Sequence, residues 1–291
     1  MDEPAFIEAL RALPLHPGAR GLADDAAVIE LSGETLVLTH DTMVESRHWL
    51  PGQDMADVAW KLVAVNLSDL AAKGAEPVGV LLSHTLGADD ARFLAGLQEV
   101  LDAYDVPLLG GDTVAGEGAR TLGCTAIGRA THTPVPARCG ARVGNGVYIC
   151  GPIGAALAGF EALRDGTGAD RTVYRRPAPL LAEGRALAPC VTAMMDVSDG
   201  LLLDASRMAS AAGVTIDIKS SAVPITLPEY RRAETLRWGD DYALLFALPA
   251  GTAPPVKAAR IGTVREAGEH PLLLDGCPPD PDLSLGYSHG G

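Results

Sequence analysis

The sequence predicts a mixed α/β or α+β protein built from two domains. Three observations carry that expectation. The chain has 291 residues, enough for two domains of ordinary size, with one large domain as the alternative. Short β-type apolar runs alternate with stretches of helical periodicity in both halves. Pro134, Pro136, Gly140, Gly144 and Gly146 form a composition break between those halves. The boundary is therefore expected near residue 137, giving domains 1–137 and 138–291. Hydrophobic residues make up 47% of the chain, so a sizeable core is available and global disorder is excluded.

The elements follow in order. Residues 26–31 and 35–41 read as two strands joined by a Ser-Gly turn. A helix follows over 54–73, with Asp54 as its N-cap and Gly74 as its stop. Its Ala59, Leu62, Val63, Leu67 and Leu70 form one broad apolar face. A strand over 77–85 leads to a helix over 89–104 capped by Asp89. A short strand at Pro107-Leu108-Leu109 runs into Gly110-Gly111-Asp112-Thr113, and 120–131 alternates as a strand. The second half restarts with a strand at 147–150 and helices at 153–164 and 177–188. A strand at 192–196 leads into a helix at 199–212. Strands at 214–218, 242–248, 260–265 and 271–275 complete the pattern.

Charge and composition narrow the function. There are 37 acidic residues against 23 basic ones, a net charge of −14. That balance argues against a broad nucleic-acid surface but not against a small phosphate ligand, because bound metals supply positive charge locally. The five cysteines form no CxxC pair, so neither a zinc site nor a disulfide framework is expected, and a reducing cytoplasm is the simplest location. No apolar run is long enough for a membrane helix, and the acidic Met1-Asp2-Glu3-Pro4 does not resemble a secretory signal. None of the four lysines follows a glycine, so the lysine-based phosphate loop is absent, as are GxGxxG, HExxH and GxSxG.

What remains is carboxylates. Asp24-Asp25 and Asp196-Val197-Ser198-Asp199-Gly200 are flanked by apolar or small residues. Carboxylates in such surroundings are costly unless neutralised. Two unit charges about 5 Å apart repel by roughly 3 kcal/mol at an effective dielectric near 20. Either a proton or a cation resolves that, and oxygen ligands suit a hard divalent ion that brings phosphates with it. Asp25 lies just before a strand, Asp41 ends the next, and Asp112 follows two glycines at a strand end. Asp196 ends a strand, and Ser198-Asp199 opens a helix. Asn66, Asp69 and Lys73 share one helix face. Each residue also has a plainer reading. Asp199 or Ser198 suits a helix cap, Asp112 a turn, Asp69 a solvated helix surface, and His48 beside Trp49 a packed core. The conjunction at element ends is what points to a metal site.

Five blocks resemble the thiamine-monophosphate kinase family. They are Leu22-Ala23-Asp24-Asp25-Ala26-Ala27, Thr39-His40-Asp41-Thr42-Met43-Val44-Glu45, the run from Ala64-Val65-Asn66-Leu67-Ser68-Asp69 to Pro77, Gly110-Gly111-Asp112-Thr113, and Asp196-Val197-Ser198-Asp199-Gly200-Leu201. Trp238-Gly239-Asp240-Asp241-Tyr242 and Gly286-Tyr287-Ser288-His289 extend a match that is collinear over nearly the whole chain.

The resemblance implies the fold shared by aminoimidazole ribonucleotide synthetase, selenophosphate synthetase and HypE. It implies a homodimer whose N-terminal strands form a central barrel. It implies transfer of a phosphoryl group from ATP to thiamine phosphate, with several Mg²⁺ ions. By position it makes Asp25, Thr39, Asp41, Asp69, Asp112, Asp196 and Asp199 the metal shell. Gly111, Asp112, Arg138 and Ser198 become ATP contacts, and His48, Asp240 and Tyr287 thiamine-phosphate contacts. The chain departs from the family at Ala23, where glycine is usual, at His40, where threonine is usual, and at Asp240, one methylene shorter than the usual glutamate. Its C-terminal half is also short. Two rivals remain. One is a sibling enzyme of the same fold, although the first cysteine is Cys124 and the chain ends Ser288-His289-Gly290-Gly291, which suits neither selenophosphate synthetase nor HypE. The other is a catalytically silent Mg-nucleotide-binding protein.

Overall fold

The computed structural model describes residues 3–287, so Ser288 and His289 lie outside the described residues. The first half contains α1 (Glu3–Arg11), β1 (Ala27–Leu31), β2 (Glu34–Val44), α2 (Met55–Ala72), β3 (Ala75–Thr85), α3 (Asp90–Tyr104), β4 (Leu108–Val114) and β5 (Thr121–Ala130). The second half contains β6 (Gly146–Cys150), α4 (Ala155–Arg164), α5 (Thr172–Arg175), α6 (Leu181–Leu187), β7 (Ala193–Asp196), α7 (Leu201–Ala212), β8 (Thr215–Ile218), α8 (Arg232–Thr235), β9 (Leu244–Leu248), β10 (Ala259–Arg265) and β11 (Leu272–Leu274).

The strands form two mixed sheets. The first is five-stranded and open, in the order β1-β2-β5-β3-β4, antiparallel except for β3 with β4. The second is six-stranded, in the order β11-β8-β10-β6-β9-β7, antiparallel except for β11 with β8. The expected two-domain α+β fold is thus observed, with the N-terminal strands as an open sheet rather than a closed barrel within the chain.

Several local expectations need correction. Asp41 and Asp112 do not end strands; β2 continues to Val44 and β4 to Val114. Asp54 caps α2 by accepting from the Ala56 N–H at 3.0 Å, as expected. Asp89 does not cap α3. It sits in the left-handed region without a side-chain cap bond, and Asp90 instead accepts from the Gly87 N–H at 3.1 Å. The helix expected from 177 begins only at Leu181, because Pro177 and Pro179 restrict the residues before it. α7 begins at Leu201, with Gly200 at the cap position, so neither Ser198 nor Asp199 is its side-chain cap. The helix at α1 was not anticipated from its short, mixed-polarity sequence.

α2 is buried almost all round, including Lys61, Asn66 and Ser68. A helix buried on every side is a core element rather than a surface one. It packs on β2, β3, β5 and α3 of the first half and on α6 and β7 of the second. One core joins these layers, running from Val37, Leu62 and Leu67 to Met194, Leu244, Phe246 and Leu248. A second core fills the far face of the six-stranded sheet, where Ile149, Met195, Leu245 and Ala247 meet Leu201, Ala205 and Met208 of α7. The period-two alternation of strands assigns each side chain to one of the two faces.

Candidate active site

Strand parity builds the site. On β2, Val37 and Met43 enter the core against α2, so Thr39 and Asp41 point the same way. On β7, Met194 enters that core, so Asp196 also faces α2. α2 offers Asn66, Ser68 and Asp69 to these strand ends. The Thr39 hydroxyl donates to Asp69, the Asp41 N–H donates to Asn66 Oδ1 at 3.2 Å, and the Ser68 hydroxyl donates to Asp196 Oδ2 at 2.6 Å.

Asp25, Asp69 and Asp196 each bring a carboxylate oxygen within 4.8 Å of the others. Burial, then the charges of Asp41, Asp196 and Asp25, pushes the Asp69 carboxyl well above its ordinary range. Burial and the Asp25 charge push Asp196 up to about 8. Burial, with Asp25 and Asp199 nearby, pushes Asp41 up to about 6. Asp25 behaves oppositely. Burial raises it, but Arg138 and Lys73 outweigh burial and hold it at about 2. Lys73 Nζ lies 2.5 Å from Asp25 and also pairs with Asp24, which Arg20 holds at 2.7 Å. Lys73 therefore turns toward the Asp24-Asp25 pair rather than sharing a ligand face with Asn66 and Asp69. The donor set is all oxygen, and its unrelieved repulsion fits a hard divalent cation such as Mg²⁺.

Asp41, Asp69 and Asp196 open onto a cleft of about 520 Å³. Asp41, Asp69, Asp196, Ser198, Asp199, His48, Asp240 and Tyr287 all line it, from both halves of the chain. The turn at 197–200 is clamped in place. Asp240 N–H donates to Ser198 O, Tyr242 N–H to Val197 O, and Tyr287 N–H to Asp199 O, each at 2.8 Å. Gly239 is needed there, since a Cβ would stand 2.2 Å from the Ser198 carbonyl oxygen. His48 is held by the Val44 N–H, which donates to its Nδ1 at 2.9 Å.

Three of the expected residues lie elsewhere. Arg138 stands behind Asp25, with its ion pair to that carboxylate, and does not line the cleft. Asp112 and Gly111 sit on the exposed edge strand β4. Asp112 pairs through Ser83 and Gly123 with Thr42, the face of the sheet opposite Asp41. Gly111 has a packing reason of its own, since a Cβ there would stand 2.0 Å from the Leu82 carbonyl oxygen.

Other residues of the site were missed from sequence. Asp204 is buried behind the cleft and accepts from the N–H groups of Ser198 and Asp199 at 3.1 and 3.0 Å, fixing the turn before α7. Lys61 is buried and pairs with Asp240 at 2.8 Å. Phe160, Tyr174 and Trp238 form an aromatic wall, with ring centroids 5.4 Å apart for Phe160–Tyr174 and 5.0 Å for Phe160–Trp238. The signal that could have found Lys61 was a lone charge in the apolar run Val58-Ala59-Trp60-Lys61-Leu62-Val63.

The two-domain α+β fold is that of the AIR synthase related class. The family models for the AIR synthase related protein N-terminal and C-terminal domains match residues 23–130 and 142–271. The chain is 36% identical to thiamine-monophosphate kinase of Escherichia coli strain K12, with 79% of this chain and 76% of that protein covered. It is 34% identical to thiamine-monophosphate kinase of Caulobacter vibrioides, over 94% of this chain and 86% of that one. Its fold superposes on AaThiL complexed with AMPPCP and TMP, with a TM-score of 0.86, 28% identity and coverage of 99% and 97%. Thiamine-monophosphate kinase of Stenotrophomonas maltophilia K279a gives a TM-score of 0.76 at 30% identity, over 94% and 95% of the two chains. The chain belongs to the thiamine-monophosphate kinase family.

Proposed function

We propose that this protein phosphorylates thiamine monophosphate to thiamine diphosphate at the expense of ATP, by direct in-line transfer. One observation carries the reading. Asp69 and Asp196 line a cleft whose other walls are aromatic and polar, and Asp25, buried behind them, brings a third carboxylate oxygen within 4.8 Å of theirs, an arrangement suited to a metal-bound phosphate beside the carboxylates and rings against the aromatic wall.

Asp25, Asp69 and Asp196 would hold Mg²⁺, with Asp41 and Asp199 beside them and Thr39 orienting Asp69. When bound, Mg²⁺ neutralises the phosphates of donor and acceptor as they approach and stabilises the charge of the transition state. The attacking group is a phosphate oxygen already largely deprotonated at neutral pH, so no strong general base is needed. Ser198, on the clamped turn that lines the cleft, would contact a nucleotide phosphate. Arg138, behind Asp25 and outside the cleft lining, would act on ATP through the Asp25 carboxylate that it pairs with. His48, Asp240 and Tyr287 line the part of the cleft assigned to thiamine phosphate.

The protein is proposed to work as a homodimer in the cytoplasm, with its domain boundary near residue 137. The edge strand β4 is exposed along its whole length, with Leu108, Leu109 and Val114 each about half exposed. Such an edge invites pairing with a second chain. Gly111 and Asp112 would then serve the site of the partner rather than their own. Among the described residues no helix is long and apolar enough to cross a membrane.

The test is incubation with ATP, Mg²⁺ and thiamine monophosphate. Thiamine diphosphate and ADP should form in equal amounts. Tight ATP binding without product would favour a nucleotide-binding protein without turnover.

A further inference from the structure

We infer that Lys61 is a positioning residue for the acceptor. It pairs with the Asp240 carboxylate, so that Asp240 meets a ligand in the cleft as a charge-compensated, directional hydrogen-bond acceptor. The inference rests on the kinase reading above and adds a residue to it.

Lys61 is 2% exposed, whereas Asp240 is 30% exposed and faces the cleft. Burial of an ammonium group is costly without partners. Lys61 has three: the Asp240 carboxylate at 2.8 Å, the face of the Tyr174 ring at 4.2 Å, and the His48 carbonyl oxygen at 3.4 Å. The other Asp240 oxygen accepts from the Tyr242 hydroxyl at 2.9 Å. Both carboxylate oxygens are thus anchored, and each keeps a further lone pair for a ligand. The backbone is fixed as well, since Asp240 and Tyr242 both adopt positive φ, at 65° and 50°. A bulky residue in that conformation is held by its surroundings.

Position along α2 explains what this arrangement measures. Lys61, Val65 and Asp69 follow at i, i+4 and i+8, and all three line the cleft. At 1.5 Å rise per residue, Lys61 and Asp69 stand about 12 Å apart along the helix axis. One rigid helix therefore carries the metal-binding end and the Lys61–Asp240 end. With the phosphate held toward Asp69, a ring at the opposite end of the acceptor would lie toward Lys61 and Asp240. A bare carboxylate there would attract any cation. A carboxylate already paired with Lys61 instead selects a neutral ring that presents N–H donors in the right direction. Beside Asp240, the aromatic wall of Phe160, Tyr174 and Trp238 supplies the stacking faces.

The experiment compares wild type, K61M, K61R, D240N and the K61M/D240N double variant. Thiamine diphosphate formation is followed, and binding of thiamine monophosphate alone is measured by calorimetry. Removing a charge-assisted hydrogen bond predicts a rise of roughly tenfold or more in KM and Kd for thiamine monophosphate in K61M. KM for ATP and kcat should stay within about twofold, K61R should recover part of the loss, and the double variant should be no worse than D240N. Unchanged Kd in K61M, additive losses in the double variant, or a fall in kcat with KM intact would overturn the inference. If K61M does not fold, K61R and D240N decide it by the same split between acceptor KM and ATP KM. Wild type without product would instead refute the kinase reading itself.

Discussion

Ser68 and Asp196 join the two halves of the molecule. The Ser68 hydroxyl, on α2, donates to the Asp196 carboxylate, on β7, at 2.6 Å across the interdomain seam. Asp196 is buried and crowded by other carboxylates, so this donor is one of the few groups favouring its charged form. Ser68→Ala should lower turnover about tenfold and raise the Mg²⁺ concentration needed for half-maximal rate, the cost of one charge-assisted hydrogen bond. A Mg²⁺ titration of initial rates checks this, and an unmoved midpoint would leave Ser68 with a packing role alone.

Asp69→Asn should separate function from folding. It removes a metal ligand, for which a loss of about 100-fold or more in turnover is expected. It also removes the carboxylate most crowded by its neighbours, so the metal-free protein should be at least as stable as wild type. Rates at saturating Mg²⁺ and a thermal melt in chelator provide the two readings. Near-normal turnover would exclude Asp69 from the metal shell.

The carboxylate cluster predicts how stability varies with pH. Asp41, Asp69 and Asp196 all have folded-state pKa values above the ordinary range near 4. As pH rises from about 4 toward 8, the unfolded chain gives up these protons while the folded protein retains them, so stability falls. Asp25 has the opposite sign. Its pairing with Arg138 and Lys73 contributes stability above about pH 4 that is lost as pH falls toward 2. Mg²⁺ competes with protons for the first three groups. It should therefore raise the melting temperature more at pH 8 than at pH 5.5. Equal shifts at both values would mean that the ion binds elsewhere.

Asp112 tests the dimer. Asp112→Asn should be nearly inactive yet fold normally. Mixing it with Asp69→Asn under conditions of subunit exchange should restore activity at about one quarter of the sites if Asp112 serves its partner, because half the dimers are mixed and each then has one intact site. No recovery in a mixture proven to contain mixed dimers would return Asp112 to its own subunit.

Arg138→Ala should raise KM for ATP by about tenfold while KM for thiamine monophosphate changes little, since the guanidinium stands behind Asp25 and away from the aromatic wall. Initial rates with each substrate varied in turn decide it; an unchanged ATP KM removes Arg138 from the nucleotide site.

Much of the molecule could be read from local pattern. The two strands before α2, the Asp54 cap, and the order of strands and helices are set by neighbours within a few residues of each other. The errors arose where local pattern competes with packing. Asp89 has the chemistry of a cap and the position of one, yet its left-handed backbone leaves its side chain without the capping bond. Asp41 and Asp112 look alike in sequence, each near a strand end, yet they stand on opposite faces of one sheet. The lone charge of Lys61 in an apolar run could be seen in the sequence, but its partner could not, because Asp240 belongs to a loop of the other half of the chain.

From sequence alone came the element order, the acidic rather than basic chemistry, and the family, because these depend on residue identity and short-range spacing. Tertiary structure decided which carboxylates meet and which cation answers each one. Strand parity and the burial of α2 between two sheets select the face each side chain occupies, and a charge finds its partner only after that choice is made.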